Sequence, residues 1–569
     1  LLIGYFICIS LELVSKFKLR RLIKMKKYKK FCFLGIGLLP LVLASCGTNT
    51  ATKDSQDATE KKVEQVATLT AGTPVQSLDP ATAVDQTSIT LLANVMEGLY
   101  RLDEKNQPQP AIAAGQPKVS NNGKTYTIVI RDGAKWSDGT QITASDFVAA
   151  WQRVVDPKTA SPNVELFSAI KNAKEIASGK QAKDTLAVKS IGEKTLEIEL
   201  VEPTPYFTDL LSLTAYYPVQ QKAIKEYGKD YGVSQKAIVT NGAFNLTNLE
   251  GVGTSDKWTI SKNKEYWDQK DVSMDKINFQ VVKEINTGID LYNDGQLDEA
   301  PLAGEYAKQY KKDKEYSTTL MANTMFLEMN QTGENKLLQN KNVRKAISYA
   351  IDRESLVKKL LDNGSVASVG VVPKEMAFNP VNKKDFANEK LVEFNKKQAE
   401  EYWDKAKKEI DLSKNTSLDL LVSDGEFEQK AGEFLQGQLQ DSLEGLKVTV
   451  TPIPANVFME RLTKKDFTLS LSGWQADYAD PISFLANFET NSPMNHGGYS
   501  NKNYDELLKD SSSKRWQELK KAEKLLINDM GVVPIFQVGT AKLEKSKIKN
   551  VLMHSIGAKY DYKKMRIEK

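Results

Sequence analysis

Cysteine is nearly missing from this sequence: 569 residues contain three, Cys8, Cys32 and Cys46. The first two fall in segments expected to be discarded, so one thiol is left. That excludes an intramolecular disulfide and any cysteine-based metal site. Histidine is scarcer still, with His496 and His554 alone, and neither G-x-S-x-G nor H-E-x-x-H occurs. A serine-hydrolase elbow and a zinc-protease helix are both lacking, and the chain is expected not to be an enzyme. An aspartate dyad or a serine–lysine pair leaves no comparable signature. Beyond residue 45 no apolar run approaches the ~18 residues that a membrane helix needs.

What is present begins with the N-terminal region. An apolar run, Leu1–Ile9, is followed by Lys16, Lys18, Arg20, Arg21 and Lys24, and residues 1–24 are read as upstream translation rather than structure. A start at Met25 gives a basic segment (Lys26, Lys27, Lys29, Lys30), an apolar core Phe31–Leu43 and a small-residue site at Ala44-Ser45. These are the parts of a secretory signal, expected at 25–45. Leu43-Ala44-Ser45-Cys46 resembles the lipobox of bacterial lipoproteins. The resemblance implies that Cys46 is lipidated and becomes the mature N-terminus, anchoring the protein on the extracellular or periplasmic face of the cell membrane.

Removing that region reverses the charge. Nine of the 78 Lys and Arg residues and one of the 73 acids precede Cys46, leaving 69 against 72 and turning +5 into −3. No argument for nucleic acid or anionic lipid survives. Gly47–Glu64 is mostly Thr, Ala, Ser, Asp, Gln, Lys and Glu, with one Val and no aromatic residue, too little apolar surface to order itself. Residues 46–66 are expected to be a flexible tether, reaching roughly 25 Å.

The remaining chain, about 500 residues, exceeds one hydrophobic core and implies two or more lobes. Ile89–Tyr100 has the spacing of a helix ended at Gly98. In Gly115–Pro157, Asn121-Asn122-Gly123 and Asp132-Gly133 read as turns around a strand Thr125–Arg131. Thr143 or Ser145 then caps a helix carrying Phe147, Val148, Trp151 and Val155. Gly123-Lys124-Thr125 looks like the end of a phosphate loop, but the required earlier glycine is Lys118. Asn342–Asp362 is an amphipathic helical stretch with Asn342 as N-cap.

Ser417–Val422, Glu428–Leu443, Lys447–Ile453, Asn456–Lys465 and Phe467–Ser472 read as strand, helix, strand, helix, strand. This spacing implies βαβ crossovers and parallel pairing. Ligands of open α/β sheets bind beyond the carboxyl ends of such strands, where Trp474, Asp477, Tyr478, Asp480 and Phe484 cluster around Pro481. The plain alternative for Asp477 is a solvated or helix-capping loop acid. His496, in Asn495-His496-Gly497-Gly498, is a possible ligand and more simply a solvated loop histidine.

The run Gly473-Trp474-x-Ala476-Asp477-Tyr478-x-x-Pro481-x-x-Phe484-Leu485 closely resembles bacterial oligopeptide-binding proteins, the extracytoplasmic receptors of ABC peptide importers (extracellular solute-binding protein family 5). The resemblance implies that Asp477 pairs with a peptide's α-ammonium group and that Trp474 lines a side-chain pocket. Some members carry an Arg three residues before the Trp to hold the carboxylate of very short peptides; here that residue is Leu471. Lys135-Trp136-Ser137-Asp138-Gly139 and Phe147-x-x-x-Trp151-x-Arg153 are similar to the signature of peptide-, nickel- and haem-type receptors. Asn241-Gly242-Ala243-Phe244 resembles a second region, where a Gly-aromatic stretch lies beside the ligand, so Asn241, Gly242 and Phe244 join the implied contacts.

The implied fold is α/β, two-lobed and periplasmic-binding-protein-like (type II), with an additional subdomain and a hinge. Lobe I would comprise 67–105, 205–305 and 530–569, the extra subdomain 106–204, and lobe II 306–529. The implied function is a monomeric, lipid-anchored receptor that delivers oligopeptides to the transmembrane subunits of an ABC permease, with no cofactor, metal or nucleic acid. A pheromone-sensing receptor would use the same site, nickel and haem receptors share the scaffold, and a secreted peptidase is the reading from another class.

Overall fold

Two separate sets of buried side chains divide the chain into lobes. In the computed structural model, which describes residues 63–332, 336–410 and 416–569, one core gathers Leu69, Leu92, Phe147, Trp151, Phe244 and Met565. The other gathers Leu327, Ile347, Leu420, Leu435, Leu469 and Phe536. The signal and lipobox readings lie outside the described residues.

Lobe I contains β1 (Val66–Ala71), α1 (Gln86–Val95), α2 (Ala144–Val155), β2 (Phe244–Thr247), β3 (Lys257–Lys262) and β4 (Lys276–Val281). Its main sheet runs β1-β4-β3-β2, parallel only between β1 and β4. α1 starts where the Asp85 carboxylate accepts the Ser88 N–H, and it ends at Val95, before the predicted stop at Gly98. Gly98 answers a different need: a Cβ there would lie 2.5 Å from the Tyr217 ring. α2 opens on a reciprocal capping box between Thr143 and Asp146. Trp151 is fully buried and donates to the Tyr216 carbonyl at 2.9 Å, while Arg153 grips Asp79 with two bonds of 2.6 and 2.5 Å. That pair ties the helix to the Ser77-Leu78-Asp79-Pro80 turn. Four short strands between Lys118 and Glu199 form a second sheet sharing the same core.

Lobe II contains β5 (Glu299–Leu302), β6 (Tyr316–Met329), β7 (Thr416–Ser423), α3 (Glu426–Ser442), β8 (Leu446–Ile453), α4 (Ala455–Thr463), β9 (Leu469–Gln475) and β10 (Val533–Glu544). The sheet order is β5-β10-β6-β9-β7-β8, with Val366–Ala367 pairing β10. β7 pairs β8 and β9 in parallel, as the βαβ spacing requires, and β6 joins β9 antiparallel. Four boundaries differ from the sequence reading. β5, expected at the end of lobe I within 205–305, pairs β10 in the lobe II sheet. β10 is an inner strand of lobe II, so residues 530–569 divide, and the segment packed in the lobe I core is the part after Glu544, through Ile548, Tyr562 and Met565. The tether stops short of 66, because the Gln65 side chain bonds both N–H and C=O of Ile567. The stretch 342–362 is interrupted near Asp352, and its N-cap is Asn340, whose side chain accepts from Asn342 and Val343 N–H.

The lobes are joined around Asp298. Its N–H donates to the Thr68 carbonyl and its carboxylate accepts the Thr68 N–H, both at 2.8 Å. Its carbonyl takes the Lys545 N–H at 2.9 Å, and Lys547 completes the knot at 2.7 Å.

Candidate functional site

β9 buries Leu469 and Leu471 in lobe II and sets Ser470 and Ser472 against the Glu328 carboxylate. Past its end, Ala476 N–H donates to the Ala322 carbonyl of β6 at 2.8 Å, and Asp477 N–H to Ser483 Oγ at 3.3 Å. The two acids of this turn have different fates. Asp480 takes both arms of the Arg515 guanidinium, at 2.7 and 2.8 Å. The Asp477 carboxylate has neither a hydrogen-bond donor nor a cation among the described residues, and uncompensated burial pushes its pKa up to about 6.

Asp477 faces a cavity of about 450 Å³ walled by both lobes, where Gln475 and Ala476 oppose Gln86, Arg101 and Asp561. An adjoining cavity of about 510 Å³ shares Gln86 and Tyr560 with the first and lies between Thr70–Thr73 of lobe I and Gly539–Lys542 of β10. Trp258, Phe279 and Tyr562 line it with aromatic surface. Together the two form a cleft at the lobe junction. Near Asp477 the lobes touch directly: Tyr206 stacks on Tyr478 with ring centres 4.9 Å apart and planes 7° from parallel. Arg515 lies 5.5 Å from the centre of the Tyr206 ring. Ser555 also accepts the Ala322 N–H at its carbonyl, 3.2 Å away, and Ile556 is buried in the lobe II interior.

The charged side chains of the cleft sort cleanly. Arg101 donates to Glu97 at 2.7 Å and Asp561 at 2.5 Å. Burial opposes its charge, but Asp561, Tyr266 and Glu97 outweigh burial and raise its pKa. Lys542 sits between Glu299, 3.4 Å away, and Glu544. His554 is buried, with Nδ1 3.2 Å from Asn106 Oδ1, and burial lowers its pKa. Lys559 has no carboxylate within ion-pair distance among the described residues, and its Nζ lies 5.2 Å from the Tyr560 ring centre.

The other predicted residues are not gathered around Asp477. Trp474 lines a separate recess of about 140 Å³ with Phe326, Phe458, Phe488 and His496, and its indole N–H is buried without a partner. Asn241 is buried, and its side chain spans the N–H and C=O of Glu97, each at 3.0 Å. Gly242 donates to the Val95 carbonyl at 2.9 Å and accepts from Asn263 at 2.9 Å. A Cβ on Gly242 would meet the Met96 nitrogen at 2.6 Å. Phe244 is a fully buried core residue in β2. The structure therefore puts Asn241, Gly242 and Phe244 in the scaffold behind the cleft, with their polar groups already spent; none lines either cavity. His496 is not a solvated loop residue either: it is buried, with Nδ1 3.2 Å from Glu328.

Sequence reasoning missed Arg101, Lys559, Tyr560 and Asp561. No local motif marks them, since Arg101 and Asp561 meet across 460 positions and the fold alone sets all four on the cavity walls. Among the described residues no group of three or more His, Cys, Asp or Glu side chains is placed to hold a metal ion, and no helix is long and apolar enough to cross a membrane.

Comparison with known proteins gives a consistent picture. The family model for bacterial extracellular solute-binding proteins, family 5 (middle), matches residues 107–496. The dipeptide-binding protein of Lactococcus lactis is 35% identical over 554 residues, covering 94% of this chain and 98% of that protein. The oligopeptide-binding protein OppA of Bacillus subtilis is 32% identical, covering 92% and 96%. Among solved structures, that of the pheromone receptor PrgZ, described with its mode of peptide binding, is 99% identical with a TM-score of 0.77, covering 89% of this chain and 100% of that one. Listeria monocytogenes OppA bound to peptide is 38% identical with a TM-score of 0.75, again covering 89% and 100%.

Proposed function

The chain belongs to the bacterial extracellular solute-binding proteins of family 5, and from that premise we propose that it is a receptor that encloses oligopeptides between its lobes and passes them to an ABC permease. The observation that carries the reading is the half-buried Asp477 carboxylate at the lobe junction, with no partner of its own among the described residues. An unpaired carboxylate partly withdrawn from water is costly, and a fixed cation relieves the cost. A peptide always supplies one, its α-ammonium, whatever its side chains. The polar and aromatic walls then accept an extended backbone, whose side chains project alternately into recesses such as the one at Trp474. The receptor acts as a carrier rather than an enzyme.

The same site serves a signalling peptide as readily as a nutrient, and the 99% identical pheromone receptor favours that use. The anchor in this reading is Cys46, from the lipobox-like Leu43-Ala44-Ser45-Cys46; Cys46→Ala abolishes labelling by a radioactive fatty acid if it is right.

The direct test is a calorimetric cycle with native protein and Asp477→Asn against free and N-acetylated forms of one bound peptide. Asparagine keeps the shape but leaves the ammonium unpaired, so the free peptide should weaken by about 2–5 kcal/mol. The acetylated peptide should lose far less. Additive free energies across the four combinations would refute the role of Asp477.

A further inference from the structure

One element of lobe I reaches into the interior of lobe II. It is the hairpin that pairs Leu552 with Asp561 and Met553 with Tyr560. Its root is fixed to lobe I: Asn94 of α1 donates to the Tyr560 carbonyl at 2.9 Å and accepts the Tyr562 N–H at 2.8 Å, and Arg101 holds Asp561. At its tip, residues 555–558, Ile556 crosses over and is 1% exposed in a cluster with Phe326, Ala476 and Phe484. Among the described residues the other buried members of that cluster all lie between Ala322 and Val532. Ile556 is a lobe I side chain in a lobe II socket.

A short run of backbone joins that socket to Asp477. The Ser555 carbonyl accepts the Ala322 N–H at 3.2 Å, the Ala322 carbonyl accepts the Ala476 N–H at 2.8 Å, and Asp477 is next in the chain. Ala322 lies where the ladder between β6 and β10 shifts register, between Leu320 and Thr324, and neither that ladder nor the one with β9 pairs it. It is also fully buried. Withdrawing the tip would leave its N–H unpaired and the socket empty, and both are costly in a packed interior. The aim of the Asp477 carboxylate thus depends on Ala476, Ala476 on Ala322, and Ala322 on a residue of the opposite lobe.

Resting on the peptide reading above, we infer that Ile556 is a positioning residue for the ammonium site: its seat in lobe II sets the backbone at Ala322 and Ala476 and so aims Asp477 into the cleft. The charge sits on lobe II, but lobe I completes its placement. Asp477 is presented in full only when the lobes are together on a ligand. The same hairpin carries His554, Gly557 and Ala558 on the wall of the first cavity, so a peptide lying against that wall contacts the element that aims the carboxylate. A ligand with a free amino group is held by the enclosure and by Asp477; one without it is held by the enclosure alone.

The test uses the full receptor and random-sequence peptide pools of three to nine residues, each offered as an equimolar mixture of free and N-acetylated forms. The bound fraction is released and read by mass spectrometry for native protein, Ile556→Ala and Ile556→Val. Ile556→Ala should shrink the ratio of free to acetylated peptide by about tenfold, within the range of coupling in one hydrogen-bonded network, while the retained acetylated peptide falls far less. Ile556→Val nearly fills the socket and should keep most of the ratio. A merely structural role would lower both forms alike and leave the ratio unchanged, and that outcome overturns the proposal. Backbone hydrogen exchange gives a second readout that needs no variant: at saturating peptide the Ala322 N–H of native protein should exchange more slowly than in the empty receptor, and equal rates also overturn the proposal. The two readings fail differently. If native protein prefers the free amine and Ile556→Ala keeps that preference, Ile556 is excluded and the peptide receptor stands; if native protein shows no such preference, the ammonium site itself falls.

Discussion

Ligand affinity should follow a bell-shaped pH profile whose acid limb belongs to Asp477. The carboxylate titrates at about 6 in the empty cleft, and only its ionised form can pair with an ammonium. Binding at lower pH must therefore first expel a proton. The penalty in affinity is one plus the ratio of protonated to ionised Asp477: negligible at pH 7.5, about twofold at pH 6 and roughly tenfold at pH 5, or ~1.4 kcal/mol. The alkaline limb belongs to the peptide, whose amino group loses its proton near ~8. Among neighbours in the same cavity, Arg101 is held charged by Asp561 and Glu97. Burial works against the Asp561 charge but Arg101 outweighs it, holding that carboxyl below its usual range, and His554 is pushed below an ordinary histidine. The Asp477→Asn variant separates any contribution of these neighbours from that of Asp477. Calorimetry of one free-amine peptide from pH 5 to 9 with native protein and Asp477→Asn isolates the contribution: the variant should show no acid limb. An affinity unchanged between pH 7 and pH 5 in the native protein, or a limb retained in the variant, would refute the assignment. The same shift bears on stability. A carboxyl whose folded pKa is raised loses stability as pH climbs from 4 to 6, so Asp477→Asn should stabilise the ligand-free protein at pH 7.5, by at most about 3 kcal/mol, with the gain gone at pH 4.

Two further outcomes follow from other contacts. Tyr206→Ala removes the stacked contact with Tyr478 across the lobes; peptide affinity should fall about threefold to tenfold, the worth of an aromatic pair, and the radius of gyration by small-angle scattering should rise at sub-saturating peptide. Unchanged values of both would show that the stack does not help hold the closed form. Gly242→Ala drives a Cβ to 2.6 Å from the Met96 nitrogen, an overpacking that should cost about 1–3 kcal/mol; thermal unfolding should shift down while peptide affinity at low temperature stays native, and a large affinity loss with native stability would restore Gly242 to the binding surface.

Local pattern was enough for the segment that matters most. Alternation of apolar and small polar residues marks β9, the intervening α3 and α4 repeats force parallel crossovers, and the acid just past the strand end follows from chain direction alone. Those signals place Asp477 past a strand end because each acts over a few residues, through side-chain period and crossover length; its pairing role is implied only by the resemblance of the Gly473–Leu485 run to oligopeptide-binding proteins. Contacts made across the fold could not be read this way. Asn241 resembles a ligand contact until Glu97, 144 positions away, consumes both ends of its amide. His496 looks solvated until Glu328, 168 positions away, buries it. β10 reads as an end of lobe I until it is paired with β6, more than 200 residues earlier. Pairings over such separations are chosen by packing and by which charges remain uncompensated after the chain closes on itself, and no local window of residues carries that information; it exists only in the folded protein.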